Sequence, residues 1–158
     1  MKRPVFLLLL FISLSASAQE EGDTVYSRCP IAITDTSGYN NYFTPHQSAT
    51  VKLEKIKGDL VITIQQKEQS FTMFFRQKKL VERKYKIGVG ANNKNELDAK
   101  YSFRSGSRAS YIDVTSGTVD VTYNKESHLW NLKVDGMLSN LIEHSIAYYK
   151  VKADFSIK

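Results

Sequence analysis

Tyr111-Ile112-Asp113-Val114-Thr115-Ser116-Gly117-Thr118-Val119-Asp120-Val121-Thr122-Tyr123 is the stretch whose reading decides the fold. Its halves are near mirror images about Ser116-Gly117, and glycine in a two-residue connection marks a hairpin. Pairing Thr115 with Thr118 sets Val114 opposite Val119 and Ile112 opposite Val121 on one side, and Asp113 opposite Asp120 on the other. A second turn at Asn124-Lys125-Glu126-Ser127 then pairs Tyr123 with His128, Val121 with Trp130 and Val119 with Leu132. One register thus places every large apolar residue on a single face, as a sheet with one buried face requires.

Outward from this passage the same period of two recurs. In the last segment Tyr149, Val151, Ala153, Phe155 and Ile157 alternate with Lys150, Lys152, Asp154 and Ser156. Toward the N-terminus, the segments from Thr50 to Ile56 and from Leu60 to Gln65 flank Lys57-Gly58-Asp59 as a hairpin. The segment from Ser70 to Arg76 puts Phe71, Met73 and Phe75 on one face and Phe74 on the other, a strand covered on both sides. Lys84 to Val89 and Tyr101 to Arg104 are shorter strands about a polar loop from Ala91 to Ala99. Between Gly136 and Ser145, the spacing of Met137, Leu138, Leu141 and Ile142 fits a helical turn or two as well as a strand. Val25-Tyr26 and Ile31-Ala32-Ile33 read as edge strands, and Tyr39 to Phe43 as an aromatic loop. About nine strands with polar outer faces and short connections describe a single-domain antiparallel β-sandwich, with a lipocalin-like up-and-down β-barrel as the alternative. They exclude a parallel α/β sheet, whose strands would be apolar throughout.

The chain has 158 residues, 22 Lys+Arg against 16 Asp+Glu and one cysteine. Lys2 and Arg3 precede an apolar run from Val5 to Ile12, and Ala16-Ser17-Ala18 closes the segment with small residues. This is the layout of a secretory signal peptide cleaved after Ala18, and the run is far short of the roughly 20 residues that span a bilayer. The organisation expected is therefore a leader over 1–18, an irregular segment with edge strands over 19–47, and an antiparallel β domain over 48–158. The product is expected in the periplasm or outside the cell. Losing Lys2 and Arg3 lowers the positive excess from six to four. Cys29 is alone, so no intrachain disulfide forms and the core must hold the fold. It reads first as a small buried apolar residue, then as an interchain partner, and last as a nucleophile. Its distance from Ala18 argues against a lipid anchor.

The half of the chain from Tyr101 through Ser116-Gly117-Thr118-Val119-Asp120-Val121-Thr122, Trp130 to Val134 and the alternating final strand resembles small secreted all-β proteins of unknown function from Bacteroidetes-type bacteria. The Ser-Ala-Gln across the cleavage site resembles signals from such bacteria. The resemblance implies a β-sandwich-like fold and implies no activity.

Required spacings for catalysis are missing from the sequence. His46, His128 and His144 are the histidines, and there is no His-Glu-x-x-His, no cysteine pair and no Gly-x-Ser-x-Gly. His128 is expected at the core edge beside Trp130 and Leu132. Glu143-His144-Ser145 are chain neighbours, which point to opposite faces of a strand and make a poor dyad. Gly88-Val89-Gly90 has no helix to follow it and reads as a turn rather than a phosphate loop. No cofactor is expected.

Two features point to binding. From Arg76 to Lys86 the chain carries Arg76, Lys78, Lys79, Arg83, Lys84 and Lys86 against Glu82 alone. Such a stripe attracts phosphate, an acidic polysaccharide, nucleic acid or an anionic lipid surface, or else serves as a solvated turn that discourages edge pairing. Asp113 and Asp120, if paired, need a counter-charge or a cation, but two carboxylates fall short of the six to eight oxygens calcium takes. Asn131 beside Asp120 and Lys133 on its diagonal offer the neutralising alternative. A glycosidase pair on an exposed flat face lacks any means of raising one carboxyl. The expectation is a non-catalytic exported binding module, with a lipocalin-like carrier of a small apolar ligand second and an enzyme of unrecognised type third. Nine tyrosines, eight phenylalanines and one tryptophan motivate the carrier, which would require an internal cavity.

Overall fold

A computed structural model of the chain describes residues 22–36, 42–142 and 145–158. The leader, most of the aromatic loop and Glu143-His144 lie outside the described residues. Every regular element among the described residues is a strand: β1 (Thr24–Tyr26), β2 (Ile31–Asp35), β3 (Ala49–Ile56), β4 (Asp59–Gln66), β5 (Gln69–Phe75), β6 (Arg83–Ile87), β7 (Glu96–Ser105), β8 (Arg108–Asn124), β9 (Leu129–Ile142) and β10 (Ser145–Ile157). No helix there is long and apolar enough to cross a membrane. The 136–142 stretch, open between helix and strand in the sequence, continues β9.

The strands form one sheet in the order β1-β3-β4-β5-β7-β6-β8-β9-β10-β2. It is mixed rather than antiparallel throughout, because β6 and β7 run parallel where Lys86 faces Glu96 and Ile87 faces Leu97. Both lie along the same edge of β8, which pairs with β6 over Gly117–Val121 and with β7 over Arg108–Asp113. The loop between β6 and β7 must therefore return the chain in the same direction.

That double pairing corrects the central hairpin. Ser116-Gly117 is no turn: β8 runs straight through it, and Thr115 is an extra residue between the pairs Val114–Leu138 and Ser116–Met137. A β-bulge and a two-residue turn share one effect on pattern, since each moves the inward positions from even to odd numbers. Val114, Val119 and Val121 are all buried, as the alternation requires. Gly117 has φ +140, and a Cβ there would lie 2.4 Å from the Asp135 carbonyl oxygen and 2.5 Å from Gly136 Cα. Glycine serves here for close approach of two backbones, not for reversal of the chain. The β8–β9 register also differs by two residues from the sequence reading: Tyr123 faces Trp130, Val121 faces Leu132 and Val119 faces Val134. A shift of two preserves the faces, so the apolar pattern could not distinguish the two registers.

The end strands of the sheet, β1 and β2, are consecutive in the chain. Only residues 27–30 separate them, a span of at most about 20 Å, so the sheet must curl until its ends approach. The connection lies along β10: Asp154 N–H donates to Pro30 O at 3.1 Å, and Ser156 N–H donates to the Tyr26 hydroxyl at 2.9 Å. That hydroxyl in turn donates to Ser156 O. Inside the curl a single apolar cluster joins residues of β2 through β10, with Phe43, Phe71, Phe75, Tyr85 and Tyr101 at 0–2% exposure. Phe75 and Tyr85 meet edge to face at 5.1 Å. Buried Gln66 is satisfied by the Thr44 backbone N–H and carbonyl, each at 2.8 Å.

Candidate anion-binding site

The basic stretch from Arg76 to Lys86 does not form one stripe. Arg76 lies on the outer face at the end of β5, where its guanidinium bridges Asp59 at 2.8 Å and Asp98 at 2.6 Å and donates through Nε to Ala91 O at 2.9 Å. The hydrogen bond to Asp59 is the main cause that holds its proton more tightly than usual. Asp98 also accepts from the N–H groups of Gly90 and Ala91. The triad therefore pins the β6–β7 loop to the outer face, where Val61 is buried and Phe74 half-buried. Arg76 is removed from the candidate ligands because its charge is already paired with two carboxylates.

Arg83 is likewise engaged, with its guanidinium on Asn95 Oδ1 and on Lys94 O at 3.2 Å, and 6.0 Å from the Tyr85 ring centre. Lys84 and Lys86 are exposed and sit at alternate positions of β6, opposite in facing to buried Tyr85 and Ile87. Lys84 meets Asp120 at 3.5 Å. Glu82 accepts from Tyr123 N–H at 2.9 Å, so the lone acid of the stretch ties the loop to β8.

Lys78 and Lys79 remain, and the loop holds them in place. Leu60 N–H donates to Gln77 O at 2.8 Å, Gln77 Nε2 donates to the Tyr85 hydroxyl at 2.6 Å, and Leu80 is buried. With both flanks anchored, Lys78 and Lys79 project at one end of the curled sheet. There they join residues that are remote in sequence: Leu53 and Lys55 of β3, Leu60 of β4, Trp130 of β9 and Lys158 after β10. Together these line an open depression of about 270 Å³, with Leu53, Leu60, Leu80 and Trp130 as apolar wall and four lysines as the rest. Trp130 is half-buried and packs on Tyr123 with ring centres 4.9 Å apart. No salt bridge joins Lys78 or Lys79 to a carboxylate among the described residues.

The carboxylate pair is not formed. Asp113 and Asp120 lie on the same strand on either side of the bulge; Asp113 faces Lys100 with a contact of 3.2 Å, and Asp120 faces Lys84 on one side and Lys133 on the other. Each has its own lysine, which removes the reason to invoke a cation. Among the described residues no three His, Cys, Asp or Glu side chains cluster as metal ligands. His128 is an exposed turn residue with φ +55, its Nδ1 3.2 Å from the Tyr123 hydroxyl, rather than a core-edge residue. Cys29 is half-buried against the core, and burial pushes its thiol pKa up.

Lys55, Trp130 and Lys158 were missed as site residues because each belongs to a clean alternating strand or its end. The visible signal was the local charge run, in which Arg76, Arg83 and Lys84 turn out to be engaged by other groups of the chain. Compared with known proteins, the chain matches no family model, and no curated protein or solved structure is significantly similar to it.

Proposed function

We propose that this protein is a non-catalytic, exported binding module that engages an anionic partner at the lysine-lined end of its curled sheet. The observation that carries the reading is the convergence of Lys78 and Lys79 with Lys55 and Lys158 from distant strands about one apolar wall. The ammonium groups of Lys78 and Lys79, side by side at the rim of one concavity, attract negative charge. Export rests on the leader-like layout of residues 1–18. The carrier reading is disfavoured by the interior: Phe43, Phe71, Phe75, Ile62 and Leu97 show no accessible surface, whereas walls of a ligand-sized void would.

The test compares two double charge reversals that change net charge equally. Lys78→Glu with Lys79→Glu is expected to abolish salt-sensitive retention on immobilised heparin and on phosphatidylglycerol vesicles. Lys84→Glu with Lys86→Glu is expected to reduce it only by the general loss of charge. Equal loss in both variants would reduce the effect to net charge and remove the site. Arg76→Ala is expected to leave retention intact while lowering stability by about 1–2 kcal/mol through the loss of its charge-assisted bonds to Asp59, Asp98 and the β6–β7 loop.

A further inference from the structure

The depression at the end of the sheet combines two properties that a simple polyanion site does not need. Its lining side chains supply hydrogen-bond donors and apolar surface, and none of them supplies an acceptor: lysine and indole only donate, and leucine does neither. A sugar hydroxyl needs to give a proton as well as receive one, so a pyranose seated here would find no side chain to accept from it. A carboxylate, sulfate or phosphate accepts only, and matches the lysines. The leucine and indole wall gains little from a phosphate backbone, but gains by covering an aliphatic or aromatic body. The volume of about 270 Å³ is at the small end of ligand pockets and suits one ring or a short chain rather than a full-length acyl tail.

We infer that the ligand is a small soluble amphipathic anion, an aryl or short-chain carboxylate, whose head meets Lys78 and Lys79 and whose apolar body lies against Trp130 and Leu80. The inference rests on the proposed anion-binding reading and narrows it to a ligand class. Charge and burial act together here: the apolar body excludes water from the head, and the head fixes the orientation of the body.

Trp130 is the single tryptophan of the chain and so reports on this site alone. Octanoate titrated into the full chain is expected to shift tryptophan emission saturably, with the same affinity by calorimetry. Octanamide, equal in shape and without charge, is expected to bind at least about tenfold more weakly, as is octanoate to the Lys78→Glu, Lys79→Glu variant. Both positions are exposed, and an unchanged circular dichroism spectrum establishes that the variant is folded. Equal binding of octanamide would overturn the inference, because the head would then not be recognised. Absence of octanoate binding with lysine-dependent retention on heparin or vesicles would overturn it while leaving the anion-binding reading in place. Failure of all three would remove both.

Discussion

Gly117 and Tyr26 show how single atoms set this fold. At Gly117 two constraints coincide, a positive φ and a facing backbone within 2.4 Å of any Cβ. Gly58, with φ +91 and open space around it, carries only the first. Gly58→Ala is therefore expected to cost about 1 kcal/mol, and Gly117→Ala at least about 3 kcal/mol, because the β8–β9 backbones must separate. Denaturant melts of the two variants measure the difference, and equal costs would mean that strain alone acts at Gly117. Tyr26 carries the hydroxyl that joins β1 to the edge of β10. Burial raises the pKa of this phenol, opposed by the hydrogen bond to the Ser156 backbone. Tyr26→Phe keeps the ring and loses both bonds, with an expected cost of about 1–2 kcal/mol. Hydrogen exchange should quicken first at Ser156, and unchanged protection there would show that the hydroxyl holds nothing.

At the scale of elements, the bulge at Thr115 lets one strand serve two partners. On its N-terminal side β8 turns even-numbered side chains inward toward the β7 register, and beyond the bulge odd-numbered ones toward β6. Thr115 Oγ1 donates to Met137 O at 3.1 Å and so satisfies a carbonyl at the irregular point of the ladder. Deleting Thr115 is expected to preserve the fold, because the pairs Val114–Leu138 and Ser116–Met137 then follow one another in unbroken register and every inward side chain keeps its face. Loss of the cooperative thermal transition would refute this. The β5–β6 loop is the corresponding element for binding: Gln77 and Leu80 fix it from inside, which leaves Lys78 and Lys79 outward as a pair. In the sequence these two lysines were indistinguishable from Lys84 and Lys86. The difference lies in anchoring by residues far along the chain, with Leu60 and Tyr85 holding Gln77.

For the whole molecule, curling of the sheet makes the interior a shared property of nearly every strand, and alkaline pH probes it. Tyr101 is buried and its pKa is pushed up to about 12 by desolvation, from 10.0 for a free phenol. Burial raises the Tyr42 phenol as well. The folded state therefore keeps these protons to higher pH than the unfolded chain, and the unfolded chain binds fewer of them once pH exceeds about 10. Stability is expected to be unaffected by these groups below about pH 10 and to fall steadily from there toward pH 12. Phenolate absorbance followed alongside unfolding checks this: early ionisation of all tyrosines without loss of structure would contradict it.

The amino-acid sequence by itself determined that the fold is all-β and which face of the alternating strands enters the core. Alternation with period two is a local property, and Tyr149, Val151, Ala153, Phe155 and Ile157 are all buried where it placed them. It also located the excess of positive charge, which is a matter of counting. Only the tertiary structure decided that Ser116-Gly117 is a bulge, that β6 and β7 are parallel, and that Asp113 and Asp120 never meet. A turn and a bulge shift the apolar phase identically, so the pattern carries no information that separates them. The candidate site was decided in the same way, since Lys78, Lys79, Trp130 and Lys158 come together through curling of the sheet, and proximity across a curled sheet leaves no trace in the spacing of residues along it.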